Sequence, residues 1–314
     1  MRVLRYVIQR LILTIPVIVG MSILVCLLLR LVPGDPAQVI LGLRSTPEGL
    51  AIIRRDLGLD LAIHLQYLHW VGNLLHGDLG QDYRSHVLVS TLLQQRLPVT
   101  IELALISMTL ALLIAIPIGV TAAAHQGSRG DWVALGLGLF GISVPDFWLG
   151  IILILTLSLG LGLFPSSGFV PMREGLWSNL ATMALPALTL ATGLVAALIR
   201  MTRSAMLDML NRDFVKFLRA KGLRESLVIY KHVLRNASIP IVTMVGMEFG
   251  FLLGGAVIVE QLFSLPGVGR LIVDAMLERN YPVVQASVLV VALMFVAVNM
   301  ATDILYAVLN PKLK

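Results

Sequence analysis

Five polar side chains stand within or at the ends of strongly apolar runs in this 314-residue sequence: Glu102, Glu248, Glu260, Asn299 and Asp303. A charge near the centre of a bilayer costs about 3 kcal/mol or more unless it is paired or wet. Such groups therefore do one of two things. They face a water-filled path, where they meet a polar solute or carry a proton, or they tie helices together by a hydrogen bond or ion pair. Glu248 lies deepest in its run, and both readings stand for it. Asn299 and Asp303 are four residues apart and share a helical face. Asp303 sits near the end of its run, where a tie between helices is the simpler account.

His64, His69, His76 and His86, with Asp78 and Asp82 close by, invite a metal reading. The first two are five residues apart, not the three or four that put ligands on one helical face. Ordinary polar histidines and no metal are expected. Cys26 is the single cysteine and lies in an apolar run, so no internal disulfide forms. GxxxxGK[ST], HExxH, GxSxG and CxxC patterns are missing. No catalytic residue is assigned, and the chain is not read as an enzyme. If ATP drives it, another chain hydrolyses that ATP.

The elements that hold these groups are set by composition. Hydrophobic residues make up 57% of the chain and charged ones 13%, against about 25% charged in soluble domains; mean hydropathy is +0.89. The fold expected is all-α and polytopic, with six membrane spans: Leu11–Leu29, Val99–Thr121, Trp132–Leu159, Leu180–Ile199, Ile239–Val259 and Val283–Leu309. Each approaches or exceeds the roughly 20 apolar residues a crossing needs, and the third and sixth are long enough to tilt. The first run follows Arg2, Arg5 and Arg10 but is too long for a signal peptide, so it reads as an uncleaved span. With the N-terminus in the cytosol, 15 Lys and Arg fall in inside segments and eight in outside ones, with Arg30 at the boundary. That bias puts both termini in the cytosol. The net charge of +6 is then a topology signal rather than a sign of nucleic acid.

Three regions follow: residues 1–31 with the first span, an extracytoplasmic lobe over 32–98, and a five-span core over 99–314. The lobe contains two helical patterns, Pro47–Leu57 and Leu61–Leu75, punctuated by turn motifs. The core contains the largest inside segment, Arg200–Ser238, with nine basic residues against Asp208, Asp213 and Glu225. Two apolar stripes, Met206–Leu210–Phe214–Phe217 and Leu223–Leu227–Tyr230–Leu234, are split at Gly222. Lys221 and Gly222 form a helix end: a cation at the C-terminal dipole, then a residue that accepts positive φ. The stripes need a cover, which is either this chain's own helices or another protein.

The fifth span carries Gly246, Gly250 and Gly254, a four-residue repeat that lets a neighbouring helix approach closely. Glu248 is two residues off that stripe, about 200° round the helix. One helix thus has a packing face and an acidic face opposite it.

Ordered motifs run nearly end to end: PGDP at Pro33–Pro36, LGLD at Leu57–Asp60, HGDLG at His76–Gly80, SVPDFWLG at Ser143–Gly150 and LPALTL at Leu185–Leu190. RMTRSAML at Arg200–Leu207, RAKGL at Arg219–Leu223, LRNASIP at Leu234–Pro240, PGVGRL at Pro266–Leu271, YPVVQ at Tyr281–Gln285 and the stretch from Val298 to Lys314 follow. In this order and spacing the sequence resembles a permease subunit of the dipeptide/oligopeptide/nickel/glutathione class of bacterial ABC importers, the first-listed of the two permeases. The resemblance implies a type I importer permease fold in the inner membrane. It implies a heterodimer with a homologous second permease, two ATPase subunits that bind ATP and Mg, and an extracytoplasmic substrate-binding protein. It places the coupling helix between spans four and five, with Asp213, Phe214, Arg219, Ala220, Lys221 and Gly222 matching the family pattern and Phe217-Leu218 departing from it. Peptides, including glutathione-like ones, are the default cargo.

Two other classes remain. A proton-coupled secondary transporter would use Glu248 or Asp303 as its carrier, although no inverted repeat relates the two halves. A membrane assembly subunit would transport nothing. Neighbouring ATPase and binding-protein genes would separate the importer from both.

Overall fold

A computed structural model of the protein describes residues 2–31, 35–41 and 46–309. Pro33, Gly34, Arg44, Lys312 and Lys314, used above, lie outside the described residues. The elements are α1 (Arg2–Leu31), α2 (Pro36–Leu41), α3 (Pro47–Asp56), α4 (Ile63–Leu75), α5 (Val89–Ala124), α6 (Arg129–Ser143), α7 (Asp146–Leu153), α8 (Leu176–Leu210), α9 (Asp213–Ala220), α10 (Glu225–Leu227), α11 (Leu234–Gly255), α12 (Val257–Leu262), α13 (Val268–Leu277) and α14 (Tyr281–Leu309). α7 continues as a π-helical turn over Ile154–Gly160, and α10 as another over Val228–Val233. Among the described residues there is no strand; Gln81 and Leu88 form an isolated antiparallel bridge.

Among the described residues four helical stretches are long and apolar enough to cross a membrane: Val89–Ala124, Leu176–Leu210, Glu225–Gly254 and Tyr281–Tyr306. The third expected span, Trp132–Leu159, is not one straight helix. α6 and α7 meet at 100°, because Pro145 lacks an N–H and pushes the residue before it out of the helical region; Val144 has ψ 120°. α1 is 30 residues long, with Ile12–Leu27 as its described apolar stretch. Other bounds also shift. α5 starts ten residues before Val99, α8 runs eleven past Ile199, and α11 ends at Gly255 with α12 following. Both ends of Arg200–Ser238 are helical, continuous with α8 and α11.

The chain divides into two compact units, Met1–Ile8 with Ile101–Leu265 and Phe295–Lys314, and Gln9–Thr100 with Pro266–Met294. Pro266–Met294 belongs with α1 from Gln9 on and the segment after it, through a buried cluster of Val25, Val89, Leu93, Val268, Ala275, Tyr281 and Val284. Polar contacts reinforce that unit. The Val268 N–H donates to Thr100 Oγ1 at 2.9 Å, Asn280 Nδ2 to Asp82 Oδ1 at 2.8 Å, and Arg84 pairs with Glu278 at 2.7 Å. α3 is capped by Thr46, whose Oγ1 accepts from the Gly49 N–H, with Pro47 and Glu48 in the first turn and Arg54 and Arg55 in the last.

The other unit is built on α8, against which α6, α7 and α11 pack. Small residues set the spacing. A Cβ on Gly141 of α6 would lie 2.7 Å from Ala196 Cβ, and one on Gly150 of α7 would lie 2.5 Å from Leu262 Cδ2. Backbones come this close only because the glycines have no side chain.

Candidate functional site: a basic helical turn and an acidic cavity

α9 has eight residues, too few to be stable alone. It holds because Val215 is fully buried with Val120, Met206, Val228, Val233 and Ala237. The first apolar stripe is not continuous, since α8 stops at Leu210 and α9 starts at Asp213. Met206, Leu210 and Phe214 still pack into one cluster, with Val215, Val228 and Val233 among its fully buried members. Phe217, Leu227 and Tyr230 stay exposed. The chain thus covers part of the apolar surface itself and leaves part bare.

Gly222 takes φ 77°, as the Lys221-Gly222 helix end requires, and a Cβ there would meet nothing within 4 Å. Arg219 and Glu225 form a bidentate pair across this turn, at 3.1 and 2.5 Å, which fixes α9 against α10. Lys221 Nζ sits 4.6 Å from the Phe217 ring centroid, and Lys216 pairs with the exposed Asp213 at 2.8 Å. Ala220 closes α9. All six residues singled out in sequence thus fall on one short element, α9 and its C-terminal turn.

Gly246 and Gly250 of α11 lie on a face that packs closely on a neighbouring helix. A Cβ on Gly246 would run into the Thr302 side chain, and one on Gly250 would lie 2.7 Å from Phe295. Both partners are on α14, and Phe251 meets Phe295 edge-on at 6.0 Å. Gly254 is exposed. Glu248 points elsewhere, into a cavity of about 240 Å³ between α7, α8 and α11. Asp146, the first residue of α7, lines the same cavity, and its Oδ1 lies 3.8 Å from where a Cβ on Gly193 would stand.

Asp146 escaped the sequence reading because it entered only as part of the SVPDFWLG motif. An acid directly after a proline inside an apolar run was the signal. Asn299 and Asp303 do not line this cavity; both are half-buried on α14. Glu260 is fully buried in α12, and Glu102 keeps its Oε1 buried without a hydrogen-bond partner. Among the described residues no three His, Cys, Asp or Glu side chains come together to hold a metal.

A bundle of apolar helices with a broken span, a polar cavity between helices and a short basic helix at one end belongs to the membrane-spanning subunits of transporters. Residues 115–314 match the family described as the binding-protein-dependent transport system inner membrane component, and residues 3–104 its N-terminal counterpart. The chain belongs to this family and is a permease subunit of an ABC importer. It is 39% identical over 335 aligned residues to the dipeptide transport system permease protein DppB of Escherichia coli (strain K12), covering 99% of each chain. It is 40% identical over 311 residues to the glutathione transport system permease protein GsiC of Salmonella choleraesuis, again with 99% of each covered. A putative peptide transport system permease protein of Brucella abortus (strain 2308) is 41% identical over 308 residues, 98% of each. Among solved structures, an inward-facing conformation of the MetNI methionine ABC transporter superposes with a TM-score of 0.58. That match covers 70% of this chain and 97% of the other at 17% identity, which speaks to the fold alone.

Proposed function

We propose that this chain forms half of the translocation path of an ATP-driven importer of small peptides, dipeptides or glutathione-like molecules among them. The observation that carries this is its near-full-length identity of 39% to a dipeptide permease and 40% to a glutathione permease. A homologous second permease supplies the other half. Two ATPase subunits bind ATP and Mg and hydrolyse the nucleotide, and an extracytoplasmic binding protein delivers the cargo. Both termini lie in the cytosol, and the segment after α1 faces outward.

α9, Gly222 and α10 form the coupling element. Its exposed Phe217, Leu227 and Tyr230, on a segment that also exposes Arg212, Lys216, Arg224 and Lys231, are what an ATPase cleft would cover. Val215, Val228 and Val233 tie that element to the bundle, so a push on α9 reaches α8 and α11. The permease does no covalent chemistry. It works because its partners bind its inward- and outward-open states unequally. Glu248, now with Asp146, lines the path. Asn299 and Asp303 on α14 remain secondary candidates.

The test is to purify the cognate binding protein and identify its bound ligand by mass spectrometry. A peptide is the expected result. A sugar or metal chelate in its place would overturn the peptide assignment.

A further inference from the structure

Asp146 and Glu248 come from helices a hundred residues apart in sequence and face one cavity. The rest of its lining consists of Leu, Gly, Ala and Phe side chains of α8 and α11. No cationic side chain lines it, and neither carboxylate has a hydrogen-bond or ion-pair partner among the described residues. Helix ties would have partners, so tying is not what these two groups do. Gly193 leaves the room that lets the Asp146 carboxylate lie along α8. The space of about 240 Å³ is large enough for an amino-acid side chain. An entering ammonium or guanidinium gives both carboxylates the partner they lack and favours their ionised form, whereas an anion meets no donor there. Rings of acidic side chains select cations in channels by the same physics.

We infer that Asp146 and Glu248 are specificity-determining residues that make this path favour cargo bearing a positive group, an ammonium or a guanidinium, over cargo bearing a negative one. This rests on the peptide-importer reading above. The binding protein chooses the ligand first. The two carboxylates then lower the barrier for a cationic side chain or terminus passing between α7, α8 and α11, and raise it for an anionic one.

The field can be read without any cargo. In the assembled complex with Cys26→Ala, a reporter cysteine is placed on the cavity wall as Ala197→Cys. Its modification rates by a trimethylammonium and by a sulfonate methanethiosulfonate reagent are then compared. The cationic reagent should react faster by about tenfold relative to the anionic one, after correction for their rates with free thiol. Asp146→Asn with Glu248→Gln should cut that ratio by at least about fivefold, while Glu248→Asp should keep it. Melting temperatures of all variants check that they are folded, and each single substitution serves if the double variant is not. An unchanged ratio overturns the inference. So does failure of both reagents at Ala197→Cys and at a second reporter, Leu194→Cys, since the cavity is then closed to solutes.

Uptake of Ala-Lys against Ala-Glu, with one binding protein throughout, supplies the second arm. The Lys/Glu uptake ratio should fall in the neutralised variants, and a constant ratio would overturn the inference. If the unaltered complex moves neither dipeptide, the peptide reading fails while the reagent ratio still decides the charge of the cavity.

Discussion

Asp131 in the first turn of α6 and Arg203 near the end of α8 form a buried two-point ion pair, Nε to Oδ1 at 2.5 Å and Nη2 to Oδ2 at 2.8 Å. The Gly127 N–H also donates to Asp131 Oδ2 at 2.9 Å, and Ser128 caps the helix by accepting from the Asp131 N–H at 3.3 Å. The pair ties the start of α6, just after the α5–α6 turn, to the last third of α8. Removing one partner leaves the other charge buried and uncompensated. Arg203→Met should therefore destabilise by about 3 kcal/mol. Arg203→Met with Asp131→Leu should recover most of that stability. A melting temperature of the double variant no higher than that of Arg203→Met would contradict this account of the pair.

Gly222 predicts a defect in coupling rather than in folding. At φ 77° any β-branched residue is strained, by about 1–2 kcal/mol, but its side chain would meet open space. Gly222→Val should thus insert normally yet turn α10 away from α9, lowering uptake and substrate-stimulated ATPase activity together. Gly222→Asn, which tolerates this conformation better, should keep more of both. Full uptake by Gly222→Val at normal expression would remove the case for the turn.

Much of this was legible in the sequence, for identifiable reasons. Gly246 and Gly250 announced a packing face because small residues four apart have few other uses in a span. Which helix they meet, through Thr302 and Phe295, is a tertiary fact with no local trace. The start of α5 at Val89 was hidden by Gln94, Gln95 and Arg96, polar residues that end an apolar window without ending a helix. The 100° break before Asp146 had its signal in Pro145, but a hydropathy run counts residues and ignores a missing N–H. The same blindness concealed Asp146. Met206, Leu210 and Phe214 of the first stripe do pack into one apolar cluster although the chain turns at Asn211 and Arg212, and Phe217 alone of the four stays exposed.

Asp82 gives a pH prediction. Burial raises its pKa, but N–H groups of Arg84 and Ser85 and the Asn280 amide stabilise the carboxylate and outweigh that, so its pKa lies below the ordinary 3.8. A folded-state pKa below the unfolded value adds stability that is complete above the unfolded pKa and lost as pH falls through the folded one. The unit containing Asp82 should melt at lower temperature as pH drops from about 5 to below 3.8, and Asp82→Asn should flatten that branch of the curve. Parallel curves for the two proteins would show that the Asp82 contacts carry no such stability.

Topology is predicted to follow the positive charges. In a Cys26→Ala background, cysteines placed singly between Thr46 and Arg84 should react with a membrane-impermeant maleimide added to intact cells. Lys216→Cys should react only after the cells are opened. External labelling at position 216 would reverse the assigned orientation.

The central claim is that this chain moves peptides as one half of an ATP-driven importer. Proteoliposomes carrying the chain with its second permease and ATPase subunits, and supplied with the binding protein, should accumulate a radiolabelled dipeptide. Accumulation should require ATP and the binding protein and should survive collapse of the proton gradient. Uptake that needs the gradient and proceeds without ATP would contradict the account.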